Sequence, residues 1–335
     1  VLTVVRAAIL FVAGSALFFR LLGKPPTAVL WGLVEGAFGS GFALSETLVR
    51  AAPILLCALA TALPARVGLI TVGAEGQLVL GAITGTGFAL FGGHWGVAGL
   101  PLLLLFGALG GAVWGGLAGW LRARLGVNET ISTLLLNYIA PPLVDYLVYG
   151  PWKDAASLGW PATRSFADSL RLAGYFGTRV HGGLLFGLLA IATMHVLVSR
   201  TRFGVKLDLL RESPMLAARA GLSFAPTALG VLALGGALAG TAGIIEASAL
   251  EGRLQAGVGT GAGYAGFLVA FLARGNLLRI VPLALVVAAL VAGGDNLQLS
   301  FALPSSVVYV LQGLLFAAAL IAGAERNPAR PTEAR

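Results

Sequence analysis

Charge is what this 335-residue sequence has least of: 11% of its residues are Asp, Glu, Lys or Arg, where soluble domains carry about a quarter. That scarcity, with 58% hydrophobic residues and a mean hydropathy of +0.91, excludes a water-soluble globular protein and leaves an integral membrane protein. Cysteine is nearly absent. Cys57 stands alone inside an apolar run, so an internal disulfide is impossible and packing is its expected role. The three histidines, His94, His181 and His195, have neither HExxH nor any other ligand-like spacing. Gly23-Lys24 runs into Pro25 and is not a phosphate-binding loop, and no nucleophile elbow marks a Ser-His-Asp set. Neither catalysis nor a resident metal or cofactor is expected. A net charge of +8 would suggest nucleic acid in a soluble domain, but the basic residues fall in short loops between apolar runs, so no nucleic-acid partner is expected.

What is present is a series of apolar runs. Spans of about 17 to 25 residues cross a bilayer, and cutting at polar and proline-rich breaks gives ten candidates: roughly 4–22, 48–65, 75–92, 98–120, 130–149, 182–199, 225–246, 262–274, 278–294 and 304–323. The expected fold class is an all-α polytopic membrane protein. The first run, Val4 to Leu22, is too long for a signal-peptide core and lacks a cleavage site, so it reads as an uncleaved span. Gly107, Gly111, Gly115 and Gly119 recur at the spacing that lets helices pack closely. With the N-terminus inside, fourteen of the 22 basic residues fall on the cytoplasmic side, which selects N-in, C-in. The segment 150–181 is then external, either a connecting loop or a docking surface, and 23–50 is a second external segment without a continuous span. The chain is one transmembrane domain, 1–335: a first half 1–199, a cytoplasmic loop 200–222, a second half 223–323 and a tail 324–335.

Two glycine-rich stretches interrupt the apolar pattern, GLITVGAEGQLVLGA at 68–82 and GVGTGAGYAGFLVA at 257–270. Interruptions at corresponding places in two halves point to a translocation site, and five intervening spans make the halves inverted pseudo-repeats. Intramembrane carboxylates cost roughly 2.5–3.5 kcal/mol, so Glu75, Glu246 and Asp295 each need a polar lining, a partner or a place at a span end. Gln77 and Asn296 join Glu75 as candidate polar contacts for a solute. Asn137 and Tyr138 lie on a span beginning at Asn128-Glu129; Asn137 serves either an interhelical hydrogen bond or a polar pathway. Tyr264 and Phe267 offer either a face for a flat ligand or ordinary helix packing.

The most charged stretch, Arg200 to Leu222, carries five basic residues and must sit in water. Ser213-Pro214 followed by MLAARAGL reads as a short helix, with a serine able to cap, a proline at its first position and Gly221 at its end. Composition alone allows either a topology-fixing loop or a handle for a partner.

Several runs, taken in order, carry a resemblance: GLITVGAEGQLVLGA, RLGVNETISTLLLNYIA, RTRFGVKL, SPMLAARAGLSF, GGALAGTAGIIEASALEGRLQ and LPSSVVYVLQGLL. Together they cover roughly residues 30 to 323. The chain resembles the permease subunits of bacterial ABC importers for simple sugars and nucleosides, related to the branched-chain amino acid permeases. The resemblance implies a multi-pass protein of the bacterial inner membrane and a second permease, copy or paralogue, completing the pathway. It also implies cytoplasmic ATPase subunits that carry the ATP and Mg, and an external solute-binding protein. It makes Ser213 to Leu222 the coupling helix, with Pro214, Ala217, Ala218, Arg219 and Gly221 matching the pattern and Met215 within it. Ser213 and Arg219-Ala220 stand where the family usually has Asn and an aromatic residue. The GAEGQ and NETISTLLLNYIA runs favour nucleosides over plain pentoses. Inverted repeats with broken helices also describe secondary transporters, for which Glu75 would be the ion-coupling group; a membrane-embedded enzyme lacks a catalytic cluster.

Overall fold

The computed structural model describes residues 2–93, 95–157, 159–175, 177–259 and 261–324. His94 and the tail residues Arg326, Arg330 and Arg335 lie outside them. Among the described residues every regular element is helical, as a bilayer demands, since in hydrocarbon each backbone N–H and C=O must be satisfied within the protein. Among those residues eight helices are long and apolar enough to span, against ten expected. The two that fall short are the ones carrying the glycine-rich interruptions. The helix at Ala74–Phe91 has the length but holds Glu75 and Gln77, and the helix at Ala262–Leu272 has only 11 residues.

The chain forms two compact units, one of Val1–Arg50 with Leu285–Arg335 and one of Ala51–Ala284. The first holds α1 (Leu2–Leu21), α2 (Pro26–Phe38), the start of α3 (Gly41–Ala65), most of α12 (Ile280–Phe301) and α13 (Ser306–Ala324). The segment 23–50, expected to hold no continuous span, carries the 13-residue α2, opened by Pro26 with its fixed φ, and the start of α3, at Gly41 rather than at 48. Phe19, Val29, Leu290, Leu297, Leu303 and Leu311 pack together as this unit's core. Three polar side chains of this unit have partners within it: Arg50 with Asp295, Lys24 Nζ donating to the Phe301 carbonyl at 2.9 Å, and Asn296 Nδ2 to the Gly32 carbonyl at 2.8 Å. Asp295, half-buried, thus has a charged partner.

The second unit holds the rest of α3 and α12, with α4 (Ala74–Phe91), α5 (Gly99–Leu125), α6 (Glu129–Tyr149), α7 (Gly182–Arg200), α8 (Arg202–Glu212), α9 (Pro214–Arg219), α10 (Phe224–Glu246) and α11 (Ala262–Leu272). At its centre α10 packs against α4 and α5 with backbone touching backbone. A Cβ on Gly240 would lie 2.3 Å from the Gly107 carbonyl oxygen, and one on Gly111 would lie 2.1 Å from that of Gly236. The expected close packing of Gly107, Gly111, Gly115 and Gly119 is therefore observed, with α10 as the facing helix. Lipid offers no hydrophobic drive between helices, so dispersion at such short range does the holding.

The segment 150–181 is fastened to the residues after α10. The Thr163 amide donates to the Leu254 carbonyl at 2.9 Å and the Phe166 amide to the Gly252 carbonyl at 2.7 Å. Ser248 Oγ donates to the Leu170 carbonyl at 2.7 Å and accepts from the Leu172 amide at 3.1 Å. At the segment's end His181 Nδ1 accepts from the Gly183 amide and caps α7. Burial, with Arg179 nearby, lowers the His181 pKa to about 4. The unfolded chain, with an ordinary histidine pKa of about 6.5, then binds more protons between pH 6.5 and 4, so stability falls as pH drops through that window.

Two outcomes are expected. Gly240→Ala lowers the melting temperature by an amount matching about 1–3 kcal/mol of overpacking, whereas Gly230→Ala, with nothing within 4 Å of its Cβ, does not. Limited proteolysis of 150–181 speeds up between pH 7 and pH 5 in the wild type, and His181→Gln, which keeps an acceptor, loses that dependence.

Candidate functional site

After α3 the backbone turns through Gly68, at φ +82°, and runs without helix from Leu69 to Val72. Backbone of this kind, buried in a membrane protein, needs partners from outside its own segment. One face of α6 supplies them. Glu129 Oε1 accepts from the Ile70 amide at 3.2 Å, Thr130 Oγ1 donates to the Ile70 carbonyl at 2.6 Å, and Thr133 Oγ1 accepts from the Val72 amide at 3.2 Å. Asn137 Nδ2 donates to the Val72 carbonyl at 2.8 Å while its Oδ1 accepts from the Gly76 amide at 2.9 Å. Residues 129, 133 and 137 are successive turns of one helical stripe, so they meet Ile70, Val72 and then Val72 with Gly76 as the chain runs alongside. Asn128 Oδ1 caps α6 by accepting from Thr130 and Ile131, and Arg122 pairs with Glu129 at 3.3 Å. Glu129, Thr130 and Thr133 were not picked out from the sequence as site residues. A polar stripe at four-residue spacing on an apolar span was the signal available.

The strand delivers Glu75 as the second residue of α4. Its carboxylate, 6% exposed, accepts from the Gly261 amide at 2.6 Å with Oε1 and from the Gly263 amide at 2.7 Å with Oε2. These are N–H groups at the head of α11, which have no acceptor within their own helix and lie at the positive end of its dipole. The two glycine-rich interruptions therefore meet, and the buried carboxylate is held by charge-assisted hydrogen bonds. Gly263 is needed for the approach, since a Cβ there would lie 2.2 Å from the Glu75 nitrogen.

Beside this junction is a cavity of about 400 Å³ lined by Glu75, Val79, Asn137, Tyr138, Pro141, Pro142, Val144, Gly257, Val258 and Tyr264. That volume lies within the range of about 300–1,000 Å³ usual for small-molecule sites. It gathers four of the predicted pathway residues, Glu75, Asn137, Tyr138 and Tyr264. The other three are not in its lining. Gln77, two residues along α4, turns toward α5, where a Cβ on Gly115 would meet its Nε2 at 3.1 Å. Phe267 packs against Phe271 with ring centroids 6.2 Å apart. Asn296 belongs to the first unit and bonds Gly32 there. The walls are mainly apolar and aromatic, and the Glu75 carboxylate and Asn137 amide already bond backbone. Among the described residues no cluster of three His, Cys, Asp or Glu is placed to hold a metal.

The central loop folds as two helices. Thr201 Oγ1 caps α8, which sequence reading did not separate, and Pro214 opens α9. The N-cap position falls on Ser213 as expected, but its hydroxyl makes no capping bond; its carbonyl accepts from Ala217 at 2.9 Å. The helix ends before Gly221, at φ +73°. Ala217 is buried, whereas Pro214, Met215, Leu216, Ala218, Arg219 and Gly221 are exposed, so α9 presents an apolar and basic face. Asp208 of α8 lies 3.7 Å from Arg66, three residues before the extended strand that leads to Glu75.

This arrangement, interrupted helices meeting at a cavity in a bundle of membrane spans, defines a transport protein. Residues 43–320 match the branched-chain amino acid transport system / permease component family, and the chain belongs to it. It is similar to the glucose ABC transporter permease protein TsgB13 of Haloferax volcanii, at 35% identity over 94% of this chain and 84% of that one. It is also similar to the guanosine ABC transporter permease protein NupP of Bacillus subtilis, at 30% identity over 92% of this chain and 90% of that one. A third relative is the nucleoside ABC transporter permease protein NupB of Lactococcus lactis subsp. cremoris, at 27% identity over 86% and 82%. The chain is thus a multi-pass permease subunit of an ABC transporter, a transport component and not a catalyst.

Removing the Asn137 side chain strands the Gly76 amide and the Val72 carbonyl, each at a cost of about 1–3 kcal/mol. Asn137→Ala is expected to lower the melting temperature in detergent well below that of Thr133→Val, which frees one amide.

Proposed function

We propose that this chain lines the pathway of an ATP-driven importer for a nucleoside or a simple sugar, and that the cavity beside Glu75 is where the solute pauses. The observation that carries the reading is the meeting of two interrupted helices, α4 and α11, at a closed junction with an aromatic-lined cavity beside it. Tyr138 and Tyr264 offer flat faces to a nucleobase or sugar ring. Glu75 and Asn137 are already bonded to backbone, which suits a conduit of low affinity that receives solute from a binding protein. Relatives named for guanosine and nucleosides support the nucleoside side, and the relative named for glucose supports the sugar side.

On this reading α4 and α11 complete ten crossings, N-in and C-in, as matching members of two inverted halves. The coupling segment, Ser213 to Leu222 with α9 at its centre, sits in a groove of a cytoplasmic ATPase subunit that carries ATP and Mg. Its exposed Met215, Leu216 and Arg219 supply apolar contact and charge. A second permease, copy or paralogue, closes the pathway, and an external binding protein docks on the 150–181 side. The membrane is the cytoplasmic membrane of a bacterium.

The test is a Pro214→Gly, Arg219→Glu double variant in the assembled transporter. ATP hydrolysis is expected to persist while uptake falls by about tenfold or more, a loss of roughly 1.4 kcal/mol in coupling, with permease abundance unchanged. Wild-type uptake in that variant removes α9 from the coupling role, and uptake driven by an ion gradient without ATP removes the importer reading.

A further inference from the structure

We propose that Glu75 is a positioning residue rather than a solute ligand: its carboxylate latches the head of α11 onto α4, and release of that latch opens the cavity. The inference rests on the transport reading above and adds the moving part.

Four observations converge on α11. First, both Glu75 oxygens are taken by the Gly261 and Gly263 amides at 2.6 and 2.7 Å, so a solute hydroxyl would have to displace one of them. Second, the seat is shaped for contact without side chains. A Cβ on Gly263 would lie 2.2 Å from the Glu75 nitrogen, and one on Gly266 would lie 2.5 Å from Cys57 Cβ. Third, α11 is a short rigid piece between two backbone breaks. Before it come a π-turn at Ala247–Glu251 and left-handed conformations at Gly252, Gly257, Gly259 and Gly261; after it come Arg274 at φ 49° and Gly275 at φ 78°. Hinges are made of such residues. Fourth, Gly257, Val258 and Tyr264, on α11 and the segment leading to it, line the cavity together with Glu75. The α4 side is fixed in place by Asn137 on Gly76 and by α10, where a Cβ on Gly243 would lie 2.0 Å from the Leu78 oxygen. Of the two elements joined by the carboxylate, α11 is the shorter, at 11 residues against 18, and its displacement changes the cavity.

Cys57, fully buried under Gly266 and alone of its kind in the chain, is a built-in reporter. The experiment alkylates it with N-ethylmaleimide in the permease assembled with its ATPase and binding protein, and reads modification of this chain by mass spectrometry. In the wild type Cys57 is expected to be protected at rest and to react when the transporter is trapped with nucleotide and vanadate. Glu75→Ala, which removes the acceptor, and Gly263→Ala, which wedges the seat with Glu75 intact, are both expected to expose Cys57 at rest. Both should also lower the maximal uptake rate by roughly tenfold or more, as lost charge-assisted hydrogen bonds imply. The half-saturating solute concentration should not change, and guanosine and glucose should be affected alike. Glu75→Gln, keeping one oxygen, should fall between.

A Glu75→Ala protein that raises the half-saturating concentration while Cys57 stays protected overturns the latch and makes Glu75 a solute ligand. If neither variant assembles, the wild type decides: unchanged Cys57 reactivity between resting and trapped states overturns the proposal, and a rise supports it. A wild-type complex that takes up neither solute refutes the solute assignment alone, because the alkylation arm reads the latch without reference to transport.

Discussion

A chain that leaves the helix inside a membrane protein must find hydrogen-bond partners for every backbone group it exposes, and the candidate site is arranged around that requirement. Two described stretches beside the site leave the helix, Leu69–Val72 and Gly252–Gly259 with Gly261. Side chains of α6 satisfy the first, with Glu129, Thr130, Thr133 and Asn137 reaching Ile70, Val72 and Gly76. Hydrogen bonds from Thr163 and Phe166 satisfy part of the second, and Glu75 satisfies its far end. Unpaired, each of these groups would cost about 1–3 kcal/mol. Polar residues on these spans are therefore first of all the condition for having broken helices.

That requirement bears on how the protein works. A cavity whose carboxylate and amide are already bonded to backbone has little left with which to bind a solute tightly, which suits a subunit that passes cargo along. The same bonds join the cavity wall to α4 through one carboxylate, beside the α4, α5 and α10 core, where glycines bring backbones into touch over several turns.

The connection from the central loop to the site follows a short route in the chain. Arg66, beside Asp208 of α8, is nine residues from Glu75, and α8 leads directly into α9. The pair itself is weak, partly exposed and 3.7 Å apart, so its worth as a surface ion pair is at most about 1 kcal/mol. Its significance is positional, since it ties the loop that carries the exposed α9 face to the strand that carries Glu75.

Much of the architecture could be read from the sequence by itself. Apolar run length fixed the class and most of the spans, because the bilayer thickness sets how long an apolar helix must be. Glycine spacing announced the close packing of α5, and the two interruptions marked α4 and α11 as special. Periodicity could not reveal α2, whose 13 residues are too few for a span, nor could it separate α8 from the charged loop. Which polar residues work together was decided only by the tertiary structure. Glu75 finds its donors 186 and 188 residues away, and Gln77 and Phe267, close by in sequence, turn to other neighbours. Run length and residue spacing are local quantities that a sequence carries directly, whereas hydrogen-bond pairing depends on where distant backbone comes to rest, and only packing sets that.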